Sequence, residues 1–284
     1  MKHILVTGSN GFIGSSLTRH LSQLGYKICE HNLSDGDISK DGSLRFCEDL
    51  KIDHVFHLAA RTFVPDSWTH PQEFIRSNVL GTGQVLEFCR KTGAALTYIS
   101  AYLYGAPESL PITENTPLKP NNPYALSKCM AEEQVEFYAK QYKVRSCIIR
   151  PFNIYGIGQD SNFLIPHVIH QVLHEKNIHV KDLEPKRDYV YLDDLVEALA
   201  KTVQYKKEFG VFNISSGNSF SVKDIIDVVQ KLAGTNKEIV SEKQTRRNEI
   251  MDTRADNSLA KNELKWEPYH SFEEGMKKCL DFYS

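Results

Sequence analysis

The 284-residue chain has no apolar run approaching the ~18–20 residues a membrane-spanning helix needs, so no span is expected. It has no strong excess of either charge: 34 Lys and Arg against 36 Asp and Glu leave a formal net charge of −2. That excludes a broad basic field for nucleic acid and an acidic tail. The six cysteines, Cys29, Cys47, Cys89, Cys129, Cys147 and Cys279, include no CxxC pair. Several fall on predicted strands or helices, where cysteine behaves as a small apolar residue, so the chain reads as a reduced, cytoplasmic protein. There is no repeat and no low-complexity segment. The first residues run directly into a predicted strand, which argues against a signal peptide. What remains is the composition of a soluble globular protein, long enough for a large core and two lobes.

The head of the chain is its most informative part. Ile4-Leu5-Val6-Thr7 is a short apolar run, Gly8, Gly11 and Gly14 follow, and an amphipathic stretch begins at Ser15. Strand, tight turn and helix in that order bring backbone N–H groups and a helix N-terminus to a dinucleotide pyrophosphate. A plain glycine turn is the bland alternative. The position after a β-rich run and before a helix favours the dinucleotide.

Strands and helices alternate through the first half. Strands are predicted at 2–6, 26–30, 54–57, 95–100 and 145–149, and helices at 12–24, 41–50, 71–91 and 124–142. Parallel strands require crossover helices, so the alternation predicts an α/β fold with a doubly wound parallel sheet. Ligands in such sheets bind at the carboxyl ends of the strands. The second half is less regular. Helices are predicted at 163–176, 193–204, 222–233 and 272–282, with a strand at 211–214 and Ser221 as an N-cap. The Pro- and Asn-rich segment 107–123 is too long for a mere connector and reads as a wall of the site.

Tyr124-Ala125-Leu126-Ser127-Lys128 stacks Tyr124 and Lys128 on one helix face. A phenol with an unperturbed pKa near ~10 is a poor base at neutral pH. An adjacent ammonium favours the phenolate, and the pair can then move a proton to or from a sugar hydroxyl. Y-x-x-x-K is common by chance and alone means little. Ser100, at the end of a predicted strand, adds a hydroxyl that can orient the reacting oxygen toward Tyr124.

Taken together, these residues resemble the extended short-chain dehydrogenase/reductases of the NAD-dependent epimerase/dehydratase family. The resemblance covers nearly the whole chain. It rests on the TGSNGFIG turn, His57-Leu58-Ala59-Ala60, Asn78, the Ser100 strand, YALSK, Arg150-Pro151-Phe152-Asn153-Ile154-Tyr155-Gly156 and Arg187-Asp188-Tyr189-Val190-Tyr191-Leu192-Asp193-Asp194. It implies a Rossmann domain binding NAD or NADP over 1–160. A smaller nucleotide-sugar-binding α/β domain follows over 161–284, with 187–215 returning to the sheet. Gly8, Gly11 and Gly14, with Asn10, Phe12 and Ile13 beside them, are implied to cradle the pyrophosphate. Asp37 and Ile38 contact adenine, and Leu58, Ala59, Ala60 and Asn78 lie along the cofactor. Lys128 holds the nicotinamide ribose and tunes Tyr124, and Ser100, Tyr124 and Lys128 are the catalytic set. On the substrate side the resemblance implies a nucleoside-diphosphate sugar held by Ser100, Ala101, Tyr102, Asn153, Arg187 and Arg247, with Phe163-Leu164-Ile165-Pro166 as a nucleotide-binding stretch. Arginine forks suit the phosphates. No metal is expected, and His167, His170 and His174 read as a wet helix face. A homodimer is expected, with helices 71–91 and 124–142 forming a four-helix bundle across a two-fold.

Two departures narrow the reading. The family's 4,6-dehydratases carry an Asp-Glu pair after the catalytic hydroxyl; Ala101-Tyr102 stands here, which disfavours elimination and, less firmly, decarboxylation. The end of the second strand reads Glu30-His31-Asn32-Leu33, with Asn32 nearest the place of the acid that usually receives the ribose hydroxyls, so NAD and NADP both stay open. The leading expectation is a 4-epimerase of a nucleoside-diphosphate hexose. The alternative is a reductase of a 4-keto-6-deoxy sugar, and a non-catalytic NAD(P)-binding protein is the reading of another class.

Overall fold

The computed structural model describes residues 1–244 and 249–284. It opens with β1 (His3–Thr7), α1 (Phe12–Gln23) and β2 (Lys27–His31). Next come β3 (His54–His57), two short helices α2 (Val64–Thr69) and α3 (Pro71–Phe74), a π-helical stretch at Ile75–Leu80, and α4 (Gly81–Thr92). β4 (Ala95–Ile99), α5 (Pro123–Tyr142) and β5 (Ser146–Pro151) follow. The remainder holds β6 (Asn153–Tyr155), α6 (Leu164–His174), β7 (Ile178–Val180), β8 (Lys186–Tyr191), α7 (Leu192–Thr202), β9 (Phe209–Ile214), β10 (Ser219–Ser221), α8 (Val222–Ala233), β11 (Ile239–Ser241) and α9 (Phe272–Tyr283).

Six of these strands form one parallel sheet in the order β2-β1-β3-β4-β5-β9, the Rossmann-like fold expected from the alternation. Strand pleating sorts β1 between two layers. Ile4 and Val6 pack with Leu17 and Leu21 of α1 and Leu195 and Leu199 of α7. Leu5 faces the other way, into a cluster with Val85 and Leu86 of α4 and Ala131 and Val135 of α5. The chain order reverses at β1, which has β2 on one side and β3 on the other, and the glycine turn leaves from that point.

Of the stretch 187–215, β9 joins the main sheet beside β5, whereas β8 lies in a separate sheet of order β10-β8-β6. α6, α8 and α9 pack around a third cluster that includes Val168, Ile169, Ile225, Val229 and Met276. Ser221 caps α8 as expected, its Oγ accepting the Asp224 N–H at 3.0 Å.

The helix expected at 41–50 is cut to a 3₁₀ stretch at Arg45–Leu50, because Gly42 turns the chain with φ +73°. Helix 71–91 is interrupted by its π-helical middle. Gly81 at its end leaves room for Ile38, whose Cγ2 would sit 2.8 Å from a Cβ there. Among the described residues no helix is long and apolar enough to cross a membrane.

Candidate active site

The carboxyl ends of β1, β2, β3, β4 and β5 open into a cleft of about 1160 Å³. Most of the predicted site residues meet there: Gly8, Asn10, Gly11, Phe12, Ile13 and Gly14 from the turn, Asn32, Asp37 and Ile38 after β2, and Leu58, Ala59 and Ala60 after β3. Ser100, Ala101 and Tyr102 enter from β4, Tyr124 and Lys128 from α5, Asn153 from β6 and Arg187 from β8. Asn78 does not line it, and Arg247 lies outside the described residues.

The three glycines have different reasons. Gly8 adopts φ +71°, and a Cβ on it would lie 2.8 Å from the Ala59 nitrogen. Gly14 lets α1 settle on the turn, since a Cβ there would reach the Gly8 carbonyl oxygen at 2.1 Å. Gly11 is the N-cap of α1; no side chain caps that helix and no acid stands in its first turn. The first N–H groups of a helix have no internal partner, so this end fits an entering pyrophosphate. Gly14→Ala is expected to destabilise the fold by about 1–3 kcal/mol through overpacking and to abolish cofactor binding. A urea midpoint and a cofactor fluorescence titration check both parts.

The segment after β2 is tied to the turn. Asn32 Oδ1 accepts from Asn10 N at 2.9 Å and from Ser9 Oγ at 3.1 Å, so its carbonyl end organises the glycine turn. Asp35 caps the Asn32 N–H at 2.8 Å. Asp37 Oδ1 accepts from Ser39 N and Oγ, and these hydrogen bonds hold its carboxyl below the usual range.

Asn78 departs from its expected place along the cofactor. It is 1 % exposed; its Oδ1 accepts the Arg61 N–H at 2.8 Å, and its Nδ2 donates to Arg61 O and to Ser127 Oγ. Ser127 Oγ in turn donates to Tyr124 O at 2.7 Å. Asn78 therefore fastens the loop after β3 to the first turn of α5, which presents Tyr124. Sequence reading found the residue but not this action, since both partners are distant in the chain.

The catalytic candidates are buried together. Asn122 caps α5 by accepting from Ala125 N at 2.8 Å and Pro123 starts the helix, so Tyr124 projects from its first turn. The Tyr124 ring stands edge-on to Phe74, centroids 6.3 Å apart. Ser100 donates its N–H to Ile149 O at 2.8 Å, while its buried Oγ has no partner within the protein. An orphaned hydroxyl in a cleft wall fits a ligand oxygen. Lys128 donates to Ile99 O and lies 4.3 Å from the Tyr98 ring centroid.

The protonation states differ from the sequence expectation. Burial, reinforced by Tyr102, pushes the Tyr124 phenol above its ordinary value. Burial lowers Lys128 to about 7, with Glu132 opposing. Both groups leave water, and desolvation is the largest influence on each. Tyr124 thus stands as a protonated donor.

On the far side, Tyr102 stacks on Phe152 at 5.5 Å, and Phe152 stacks on Tyr104 at 6.3 Å. Asn153 Nδ2 reaches Asp188 O at 3.4 Å. Arg187 is engaged by the Glu249 carboxylate and donates to Ile250 O and Lys186 O. Phe163, Leu164 and Ile165 line the cleft, as do Lys119, Asn121 and Asn122 of the 107–123 loop. Trp68 stands exposed on α2 and is not among the residues lining the cleft, and Trp266 is buried with Nε1 donating to Asp194 O. No group of three or more His, Cys, Asp or Glu among the described residues is arranged to hold a metal.

Asp188 was not singled out as a structural anchor by its pattern. Its buried carboxylate accepts from Ser216 N and Oγ, Gly217 N and Ala255 N, and burial raises its pKa to about 6. Asp188→Ala would leave three backbone N–H groups without an acceptor, for an expected loss of about 3 kcal/mol. The shift in denaturation midpoint measures it.

A model of the NAD dependent epimerase/dehydratase family matches residues 4–215. A putative UDP-glucose 4-epimerase of Methanocaldococcus jannaschii is 31% identical, over 98% of this chain and 97% of its own. The crystal structure of the UDP-glucose 4-epimerase of Thermotoga maritima with UDP-glucose superposes with a TM-score of 0.90 at 30% identity, covering 99% of this chain and 98% of that one. RMD from Pseudomonas aeruginosa, complexed with NADPH, gives a TM-score of 0.91 at 26% identity, covering 100% and 99%.

Proposed function

The chain belongs to the NAD dependent epimerase/dehydratase family, and from that premise we propose that it is a 4-epimerase of a nucleoside-diphosphate hexose. The observation that carries this reading is the convergence of the orphaned Ser100 hydroxyl, Tyr124 and buried Lys128 in one cleft with the glycine turn. NAD or NADP would be held by Gly8, Asn10, Gly11, Phe12, Ile13 and Gly14 at the pyrophosphate. Asn32, Asp37 and Ile38 would bound the adenosine, Leu58, Ala59 and Ala60 the length of the cofactor, and Lys128 the nicotinamide ribose. When bound, the nicotinamide supplies the acceptor and donor of hydride at sugar C4. Ser100 Oγ holds the C4 oxygen. Tyr124, once ionised, takes its proton and later returns it. The diphosphate is assigned to Asn153 and Arg187, and to Arg247, which lies outside the described residues, and the sugar to the wall of Ala101 and Tyr102.

Elimination is disfavoured by the same wall. The carboxylates lining the cleft are Asp37, Glu73, Asp160 and Glu249, whereas Ala101 and Tyr102 follow Ser100. A 4-keto-6-deoxy-sugar reductase is the second reading. It is favoured by the lack of an acid at the end of β2, where a carboxylate would repel a 2′-phosphate. The protein as purified decides between them. Stoichiometric NAD released on denaturation, with interconversion of UDP-hexoses, supports the epimerase. An empty cleft that binds NADPH and consumes it on a 4-keto-6-deoxy sugar supports the reductase.

We assign a homodimer to the stretches 71–91 and 124–142, the second of which exposes Leu126, Met130, Phe137 and Tyr142 on α5. Light scattering at micromolar concentration should report twice the chain mass; a monomer would remove the assignment. The six free cysteines fit a reducing, cytoplasmic compartment.

A further inference from the structure

His57 is the last residue of β3, and Leu58, Ala59 and Ala60 of the cleft follow it. Its ring is buried and bonded at both nitrogens. Nδ1 meets Thr7 Oγ1 at 2.8 Å, and Nε2 meets Thr82 Oγ1 at 3.1 Å. Thr7 stands opposite His57 in the β1–β3 ladder and immediately precedes Gly8. Thr82 lies in the first turn of α4. An imidazole held by a hydroxyl on each side has its tautomer set by the bonds those hydroxyls make.

Each hydroxyl has one proton, and the contacts leave one way to place them. Thr82 Oγ1 donates to the Asn78 carbonyl at 2.6 Å, so it can only accept from His57. The His57 proton therefore sits on Nε2. Burial, with Lys128 and His31 adding to it, lowers the ring to about 3, so His57 is neutral and its Nδ1 keeps a lone pair. Nδ1 then accepts the Thr7 proton, and Thr7 Oγ1 accepts the Ala59 N–H at 3.2 Å. All four bonds run in one direction, from Ala59 to the Asn78 carbonyl.

The line continues into α5. Asn78 Nδ2 donates to Ser127 Oγ at 2.9 Å, and Ser127 Oγ donates to Tyr124 O at 2.7 Å. Asn78 belongs to the π-helical stretch Ile75–Leu80, a geometry frequent at functional sites. Thr7, His57, Thr82, Asn78 and Ser127 are all buried. A fully satisfied buried network rigidifies what it joins. One end here is Ala59, whose nitrogen a Cβ on Gly8 would approach to 2.8 Å; the other is the turn of α5 that carries Tyr124.

We propose that His57 is a positioning residue: with its proton on Nε2 it joins the cofactor floor at Ala59 to the first turn of α5, and so holds the Tyr124 phenol in register with the cofactor site. The inference rests on reading Tyr124 as the phenol that moves the proton. His57 does not line the cleft, so it acts only through its neighbours. When the line is cut at Thr82, Thr7 still joins His57 and Ala59, and the cofactor floor keeps its support. What is lost is the hold on Tyr124, and a displacement of ~1 Å can cost about 10²-fold in rate.

Three measurements on the whole protein test this. Nitrogen NMR of the imidazoles should place the His57 proton on Nε2, with no titration across the neutral range. A proton on Nδ1, or a ring that titrates near neutral pH, would overturn the proposal. Thr82→Val removes the acceptor at nearly constant shape, and Thr82→Ser retains it. With UDP-hexoses as substrates and NAD and NADPH titrated separately, Thr82→Val should lower kcat about tenfold and move KM and cofactor Kd less than about twofold. Thr82→Ser should keep the wild-type kcat. A valine variant that loses stability but keeps kcat has lost only structure, and that result, or a serine variant as slow as the valine one, would refute the positioning role. Amide hydrogen exchange at residues 125–128 should quicken in Thr82→Val and not in Thr82→Ser. If the wild-type protein turns over no nucleotide sugar, the functional reading falls separately; the tautomer and the exchange rates still decide whether His57 fixes this turn, and unchanged exchange would sink it.

Discussion

Replacing Tyr124 with phenylalanine is expected to lower kcat by about 10²–10⁴-fold while leaving cofactor affinity and stability nearly unchanged. The ring stays against Phe74, because that contact is edge-on carbon packing and needs no hydroxyl. What is lost is the phenolic proton that Tyr124 presents in the cleft it shares with Ser100. That proton is firmly held, since burial raises the Tyr124 pKa. The group is therefore ready to donate, and it must be helped to accept. Lys128, lowered by burial to about 7, is cationic below that pH and loses its charge as pH rises through it. Ligands that alter solvation around the pair will move both values together. Turnover on UDP-hexoses and on 4-keto-6-deoxy sugars, with a cofactor titration as control, checks the expectation. Unchanged turnover by the variant would remove Tyr124 from the chemistry.

Replacing Arg150 with methionine is expected to cost about 3–5 kcal/mol of stability. Arg150 and Glu132 form a buried pair at 2.6 Å, with side chains only 8% and 5% exposed. Arg150 also donates to Tyr104 Oη at 3.0 Å, and Tyr104 donates to Asn213 Oδ1 at 2.5 Å. Removing the guanidinium strands the Glu132 carboxylate in a dry interior, which is costlier than losing the pair's attraction. Arg150→Met with Glu132→Leu should therefore recover much of the loss. Urea denaturation of the two variants tests this, and a double variant less stable than the single one would refute the account. Glu132 lies one turn beyond Lys128 on α5 and favours its charged form. The double variant should accordingly depress the Lys128 pKa further, and a downward shift in the alkaline limb of the pH–rate profile would report it.

Much was determined by the sequence alone. The parallel sheet was legible because buried strands alternate with crossover helices, and the glycine turn because its spacing is a local backbone requirement. Gly8 and Gly14 prove to be needed by packing against Ala59 and Gly8 itself, before any ligand enters. Ser221 and the start of α5 were readable for the same reason, since a cap acts within four residues. The meeting of Ser100, Tyr124 and Lys128 in one cleft was anticipated from their places at strand and helix ends.

Tertiary structure decided what depends on partners far along the chain. Asn78 turns away from the cleft to join Arg61 and Ser127, and the carboxylate of Asp188 gathers residues 216, 217 and 255. β8 pairs with β6 and β10 instead of the main sheet, a choice no local pattern expresses. The protonation of Tyr124 and Lys128 was misjudged from spacing because four-residue separation reports proximity but not burial. Desolvation is a property of everything packed around a group, and only the folded molecule sets it.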